Sequence, residues 1–132
     1  ACLVGSEMCI RDSFMTILDQ SIIRAYHNQI INVHPSLIPS FCGEGFYGLR
    51  VHEAALARGV KFTGATVHFV NEVADDGPII LQQPVAVFPD DTPEVLQKRV
   101  MEQAEWQILP QAVNLFCNGQ LEVREKTVFI KQ

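Results

Sequence analysis

The chain has 132 residues with 15 acidic and 10 basic side chains and a formal net charge of −5, a length suited to one globular domain or part of one. Hydrophobic residues make up 48% and charged residues 19%, which is too apolar for disorder, and no apolar run approaches the roughly 20 residues of a membrane span. A pI near 5.2 without a cluster of Lys and Arg argues against a surface that binds nucleic acid or anionic lipid, so any phosphate must be met locally.

Residues 1–13 have no basic leader region, and Glu7 interrupts an apolar stretch already too short for a secretory signal. They follow neither helical nor strand periodicity and are treated as a terminus outside the domain, which is expected to occupy 14–132. Cys2, Cys9, Cys42 and Cys117 form no CxxC pair, a usage that fits reduced thiols in the cytoplasm rather than zinc or a disulfide framework.

From Phe14 onward the pattern is orderly, with no repeat and no charged linker. Residues 21–27 fit a short helix, and Ile30, Ile31, Asn32 and Val33 a buried strand stopped by Pro35. The Pro- and Gly-rich stretch 35–48 is a loop. Leu49, His52, Ala55 and Leu56 then share one helical face, with Gly59 as the stop. A second strand is expected at 66–70, an acidic turn at 71–77 and a third strand at 78–88. Thr92 is a good N-cap with Pro93 at the first helical position and Glu94 favourable to the helix dipole. This longest helix is expected to kink or divide at Pro110 and to end at Asn118-Gly119, before a terminal hairpin of 121–123 with 128–130. Strands alternating with helices give the α/β class.

Asn32 and His34 stand two apart at a strand end, so both side chains face one side, toward the crevice where open α/β sheets bind ligands. An amide donor beside an imidazole can stabilise an oxyanion and move a proton near neutral pH, the two tasks of acyl transfer to an amine. Taken alone, the spacing fits an Asn and a His that cap the following turn at least as well. Asp75 and Asp76 could orient an imidazole, yet turn aspartates commonly bond their own backbone. His68 reads as a structural histidine, His27 as an exposed one, and His52 fits either role. No HxxxH or HExxH, no GxSxG and no phosphate-binding GxGxxG or GxxxxGK[ST] is present. No metal site is therefore expected.

Three runs in order, NVHPSLIP (32–39), GATVHFV (64–70) and DDGPIILQ (75–82), together resemble the folate-dependent formyltransferases, over about 14–123. The resemblance implies an α/β fold, the C-terminal portion of a Rossmann-like three-layer architecture with a mostly parallel sheet. It implies Asn32, His34 and Asp75 as the catalytic set: Asn32 holding the formyl oxygen, His34 acting as general acid, and Asp75 setting the charge state of His34. Met15, Thr16, Ile17 and Leu18 resemble the folate-contacting loop of the family, and Asn71, Glu72, Val73, Ala74 and Asp75 the loop that wraps the pterin. Glu105 resembles a substrate-contacting glutamate, in a register that needs a one-residue insertion.

Within the family the branch acting on glycinamide ribonucleotide is nearest. The implied reaction is transfer of the formyl group of 10-formyltetrahydrofolate to the amine of that ribonucleotide, in purine (IMP) biosynthesis in the cytoplasm. The implied partners are these two small molecules, with 10-formyltetrahydrofolate as co-substrate and with no metal, nucleic acid or membrane; a homo-oligomer stays open. The branch that hydrolyses formyltetrahydrofolate shares the same three residues, and the branch acting on methionyl-tRNA shares the first run. A catalytically silent folate-binding piece is a reading from another class. Its motive is that family members carry, ahead of the position of Phe14, a Gly-rich phosphate-binding portion; a longer parent chain is expected.

Overall fold

The computed structural model describes residues 2–3, 8–9, 29–71 and 76–131. Its elements in chain order are β1 (Cys2–Leu3), β2 (Met8–Cys9), β3 (Ile30–His34), α1 (Leu49–Arg58), β4 (Phe62–Phe69), β5 (Ile79–Ala86), α2 (Pro93–Val100), a π-helical turn (Met101–Glu105), α3 (Trp106–Cys117), β6 (Leu121–Arg124) and β7 (Thr127–Ile130). The expected helix at 21–27, with His27, lies outside the described residues.

The strands form one sheet in the order β2-β1-β3-β4-β5-β7-β6. A mostly parallel sheet was expected, but the pairings are antiparallel except for β5 with β7, where Ile79 faces Thr127. Chain connectivity explains this. Only nine residues separate β4 from β5, too few for the crossover a parallel pair requires, and the stretch containing α1 returns the chain beside β3 in the opposite sense. The connection through α2 and α3 is long enough to cross over, and it leads to the parallel pair.

Alternation along the strands gives the sheet two chemically distinct faces. Ile31 opposes Phe69 and Val33 opposes Val67. These join Ala55 of α1, Leu96 and Val100 of α2, Ala104 of the π-turn, and Ile108 and Ala112 of α3 in one buried apolar cluster. Asn32 opposes His68, and His34 opposes Thr66, on the other face. The apolar burial that fixes the sheet thus also fixes which way the polar side chains point.

The helix stops act as expected. Gly59 adopts a left-handed conformation (φ 77°) after α1. Thr92 caps α2 by accepting from the Val95 amide at 3.3 Å, and Gly119 and Gln120 donate back to Phe116 and Leu115 at the end of α3. Arg99 fastens α2 to β5 by a paired hydrogen bond to Asp91 (2.6 and 2.8 Å) and a bond to the Ala86 carbonyl at 3.1 Å.

Two local expectations change. β4 begins at Phe62 rather than at 66 and runs through Gly64. A Cβ there would sit 2.1 Å from the Gln83 carbonyl oxygen and 2.8 Å from Leu37 Cδ2, so glycine is what lets β5 and the loop approach. Pro110 does not divide the long helix: α3 runs through it. The irregularity falls earlier, where the Trp106 amide reaches back to the Met101 carbonyl and one extra residue is absorbed into a wide turn.

Candidate active site

The site starts from the pentapeptide IINVH. Ile31 and Val33 go to the apolar cluster, and Asn32 and His34 are delivered together to the opposite face, 4% and 5% exposed. Pro35 ends the strand, and segment 36–41 folds back so that His34 Nε2 meets the Phe41 carbonyl oxygen at 2.8 Å. Phe41 has φ 49°, a left-handed conformation that a bulky side chain rarely takes. The one strained residue of this segment is therefore the one whose carbonyl holds the imidazole. Asn32 Oδ1 is buried with no hydrogen-bond partner among the described residues. A buried amide oxygen left in that state is a group set for an external donor.

A second imidazole lies close by. His52 on α1 is 1% exposed, and its Nδ1 has no partner among the described residues. Burial, and secondarily the charge of His34, pushes its pKa down to about 4 from 6.5. The fold therefore holds His52 neutral. The unfolded chain binds a proton there between pH 6.5 and about 4 and the folded one does not, so this contribution to stability is complete above 6.5 and lost as pH falls toward 4. The loss amounts to about 3 kcal/mol. Urea unfolding at pH 7 and 4.5 should show it, and His52→Gln should remove this component; an equal pH dependence in both proteins would contradict it.

His68 fits the expected structural role, with Nδ1 2.8 Å from the Phe69 carbonyl oxygen. At the neck of the acidic turn, Asn71 Nδ2 donates to Asp76 Oδ2 at 3.4 Å, and Lys126 Nζ reaches the same oxygen at 3.0 Å. The Lys126 bond, helped by Asn71, holds the Asp76 carboxyl below its usual range.

The structure therefore brings Asn32 and His34 together and puts Asn71 at the neck of the turn. Glu105 ends the π-turn, which packs over β4 and β5. Met15, Thr16, Ile17, Leu18, Glu72, Val73, Ala74 and Asp75 lie outside the described residues. The reading of the sequence missed the Phe41 carbonyl, a backbone group without a residue-type signal. Among the described residues no group of three His, Cys, Asp or Glu could hold a metal ion, and no helix is long and apolar enough to cross a membrane.

A family model described as formyl transferase matches residues 3–113. The chain belongs to the formyl transferase family. It is 36% identical over 124 residues to the chloroplastic phosphoribosylglycinamide formyltransferase of Arabidopsis thaliana, covering 94% of this chain and 42% of that protein. Its structure resembles glycinamide ribonucleotide transformylase 1 from Symbiobacterium toebii (TM-score 0.77, 42% identity, 84% of this chain and 50% of that one). It also resembles a formyltetrahydrofolate deformylase from Pseudomonas syringae (TM-score 0.79, 31% identity, 89% of this chain and 38% of that one). The chain spans half the length of these relatives or less. The mixed α/β sheet agrees with the fold of these solved relatives.

Proposed function

We propose that this chain carries the reacting centre of a phosphoribosylglycinamide formyltransferase, which moves the formyl group of 10-formyltetrahydrofolate to the amine of glycinamide ribonucleotide in purine biosynthesis. The observation that carries the reading is the pair Asn32 and His34, buried side by side on one sheet face with an amide oxygen unpartnered among the described residues. The transferase is favoured over the deformylase by the identities quoted above, 42% against 31%; the TM-scores, 0.77 and 0.79, do not separate the two.

The substrate amine attacks the formyl carbon and negative charge develops on the formyl oxygen. The Asn32 amide NH₂ donates to that oxygen, and its Oδ1 accepts from the attacking amine. With Nε2 on the Phe41 carbonyl, the His34 ring is held in one orientation, and proton exchange falls to Nδ1. The bond from carbon to N10 of the folate then breaks, and the proton lost by the amine ends on N10. Donors aimed at an oxyanion contribute about 3–4 kcal/mol each, and holding both reactants in one crevice removes much of the entropic barrier. Asp75 sets the charge state of His34, which the order and spacing of the three motifs support; Met15 to Leu18 and Asn71 to Asp75 hold the folate and Glu105 contacts the ribonucleotide, roles that rest on the resemblance of those segments to the family. The pathway is cytoplasmic in this reading, and neither substrate calls for a membrane or a nucleic acid.

The test is consumption of 10-formyltetrahydrofolate by the purified chain with and without glycinamide ribonucleotide. Turnover that requires the ribonucleotide is expected. Equal turnover without it would assign the chain to the hydrolytic branch.

A further inference from the structure

A row of polar side chains crosses three strands of the sheet. His34 on β3 opposes Thr66 on β4, and Thr66 opposes Gln82 on β5, so all three share a face. Thr66 is fully buried (0% exposed). Its hydroxyl donates to the Ser36 carbonyl at 2.7 Å and accepts from the Ile38 amide at 3.1 Å and from Gln82 Nε2 at 3.0 Å. One donor and two lone pairs are all a hydroxyl has, and each is used. The Gln82 amide also donates to the Ile38 carbonyl at 3.0 Å. Both ends of the Ser36-to-Ile38 backbone are thereby tied to the sheet, three residues before the Phe41 carbonyl that holds His34.

We propose that Thr66 and Gln82 are positioning residues for His34: by clasping segment 36–38 they hold the strained Phe41 carbonyl against Nε2 and so fix which nitrogen of the imidazole carries the proton. Phe41 at φ 49° keeps its conformation only if its surroundings enforce it; the clasp ties the chain leading into it to the sheet, and the Ser36 hydroxyl, donating to the Ser40 carbonyl at 2.5 Å and to the Phe41 carbonyl at 3.4 Å, carries that restraint on to Phe41. Thr66→Val keeps the shape and removes the hydroxyl, leaving the Ser36 carbonyl and Ile38 amide without that partner. Thr66→Ser keeps the hydroxyl. The inference deepens the proposed function and rests on it only for the effect on rate.

The experiment is ¹⁵N NMR of the histidine rings in the full chain. Unmodified protein should show His34 as a single tautomer protonated at Nε2. Thr66→Val and Gln82→Met should convert it to a mixture, and Thr66→Ser should restore it. His68 is the internal control for folding, because its Nδ1 bonds the adjacent Phe69 carbonyl independently of the clasp. Where the unmodified chain turns over, Thr66→Val should lower kcat roughly tenfold with a smaller change in KM, the scale of a modest misplacement of a reacting group. A His34 tautomer unchanged in Thr66→Val, with His68 intact, overturns the proposal, as does a changed tautomer with an unchanged rate. Absence of turnover in the unmodified chain counts against the functional reading, while the tautomer result still decides the clasp.

Discussion

Replacing His34 by alanine is expected to lower formyl transfer by at least 10³-fold while KM for the folate changes less than about tenfold. General acid-base catalysis is worth roughly 10² to 10⁴, and His34 is the group that exchanges the proton, at Nδ1. Asn32→Ala should cost about 10² to 10³, because its amide meets the oxygen on which charge accumulates. The two side chains act as a unit, so the double variant should lose little beyond the His34 variant. Initial-rate kinetics on the three variants decide the matter; a His34→Ala protein keeping a tenth of the unmodified rate would remove His34 from the chemistry. The side chain is 5% exposed beside Phe41, so each variant should first be shown to unfold at an unchanged denaturant midpoint.

The largest expected effect on stability lies at Gly77. A Cβ there would fall 1.6 Å from the Phe69 carbonyl oxygen and 2.6 Å from its carbon. Both are backbone atoms at the neck where the Phe69 amide bonds the Pro78 carbonyl at 2.9 Å, so nothing flexible can give way. Gly77→Ala must break that neck, at a cost of about 3–4 kcal/mol and a fall in Tm of roughly 10–15 °C. Gly45 provides the comparison, with open space around it but φ 84°. There the cost of alanine is conformational only, about 1 kcal/mol. Thermal melts of the two variants should separate clearly, and equal melting temperatures would show that the neck moves without penalty.

Much of the fold is legible in the sequence. A period of two on a β-branched run puts Asn32 and His34 on one face, and the burial of Ile31 and Val33 enforces that period; the spacing alone fits two turn caps at least as well, and it is the family resemblance of the three runs that points to chemistry. Gly59, Thr92-Pro93 and Asn118-Gly119 mark helix ends through chemistry that acts within a few residues, which a sequence displays directly. Strand direction is not local. The sequence looks much the same whether the stretch containing α1 crosses over or returns, and the antiparallel β3–β4 pair follows from where the chain comes back beside it. The earlier start of β4 is not legible because what Gly64 permits lies in Leu37 and Gln83, both distant along the chain. Pro110 is a visible breaker, yet the helix runs through it and the irregularity falls at 101–105, where no residue type signals a wide turn. Thr66 and Gln82 lie inside the second and third runs, but nothing in the sequence shows that they work together, since their role arises only when three strands align.

The most direct test of the central claim is to follow the carbon itself. With the formyl carbon of 10-formyltetrahydrofolate labelled with ¹³C, NMR of the reaction with the purified chain and glycinamide ribonucleotide reports where the label goes. The proposed reaction puts it on the former amine nitrogen, as an N-formyl group, at a rate abolished by His34→Ala. Label released as free formate at the same rate whether or not the amine is present would contradict it.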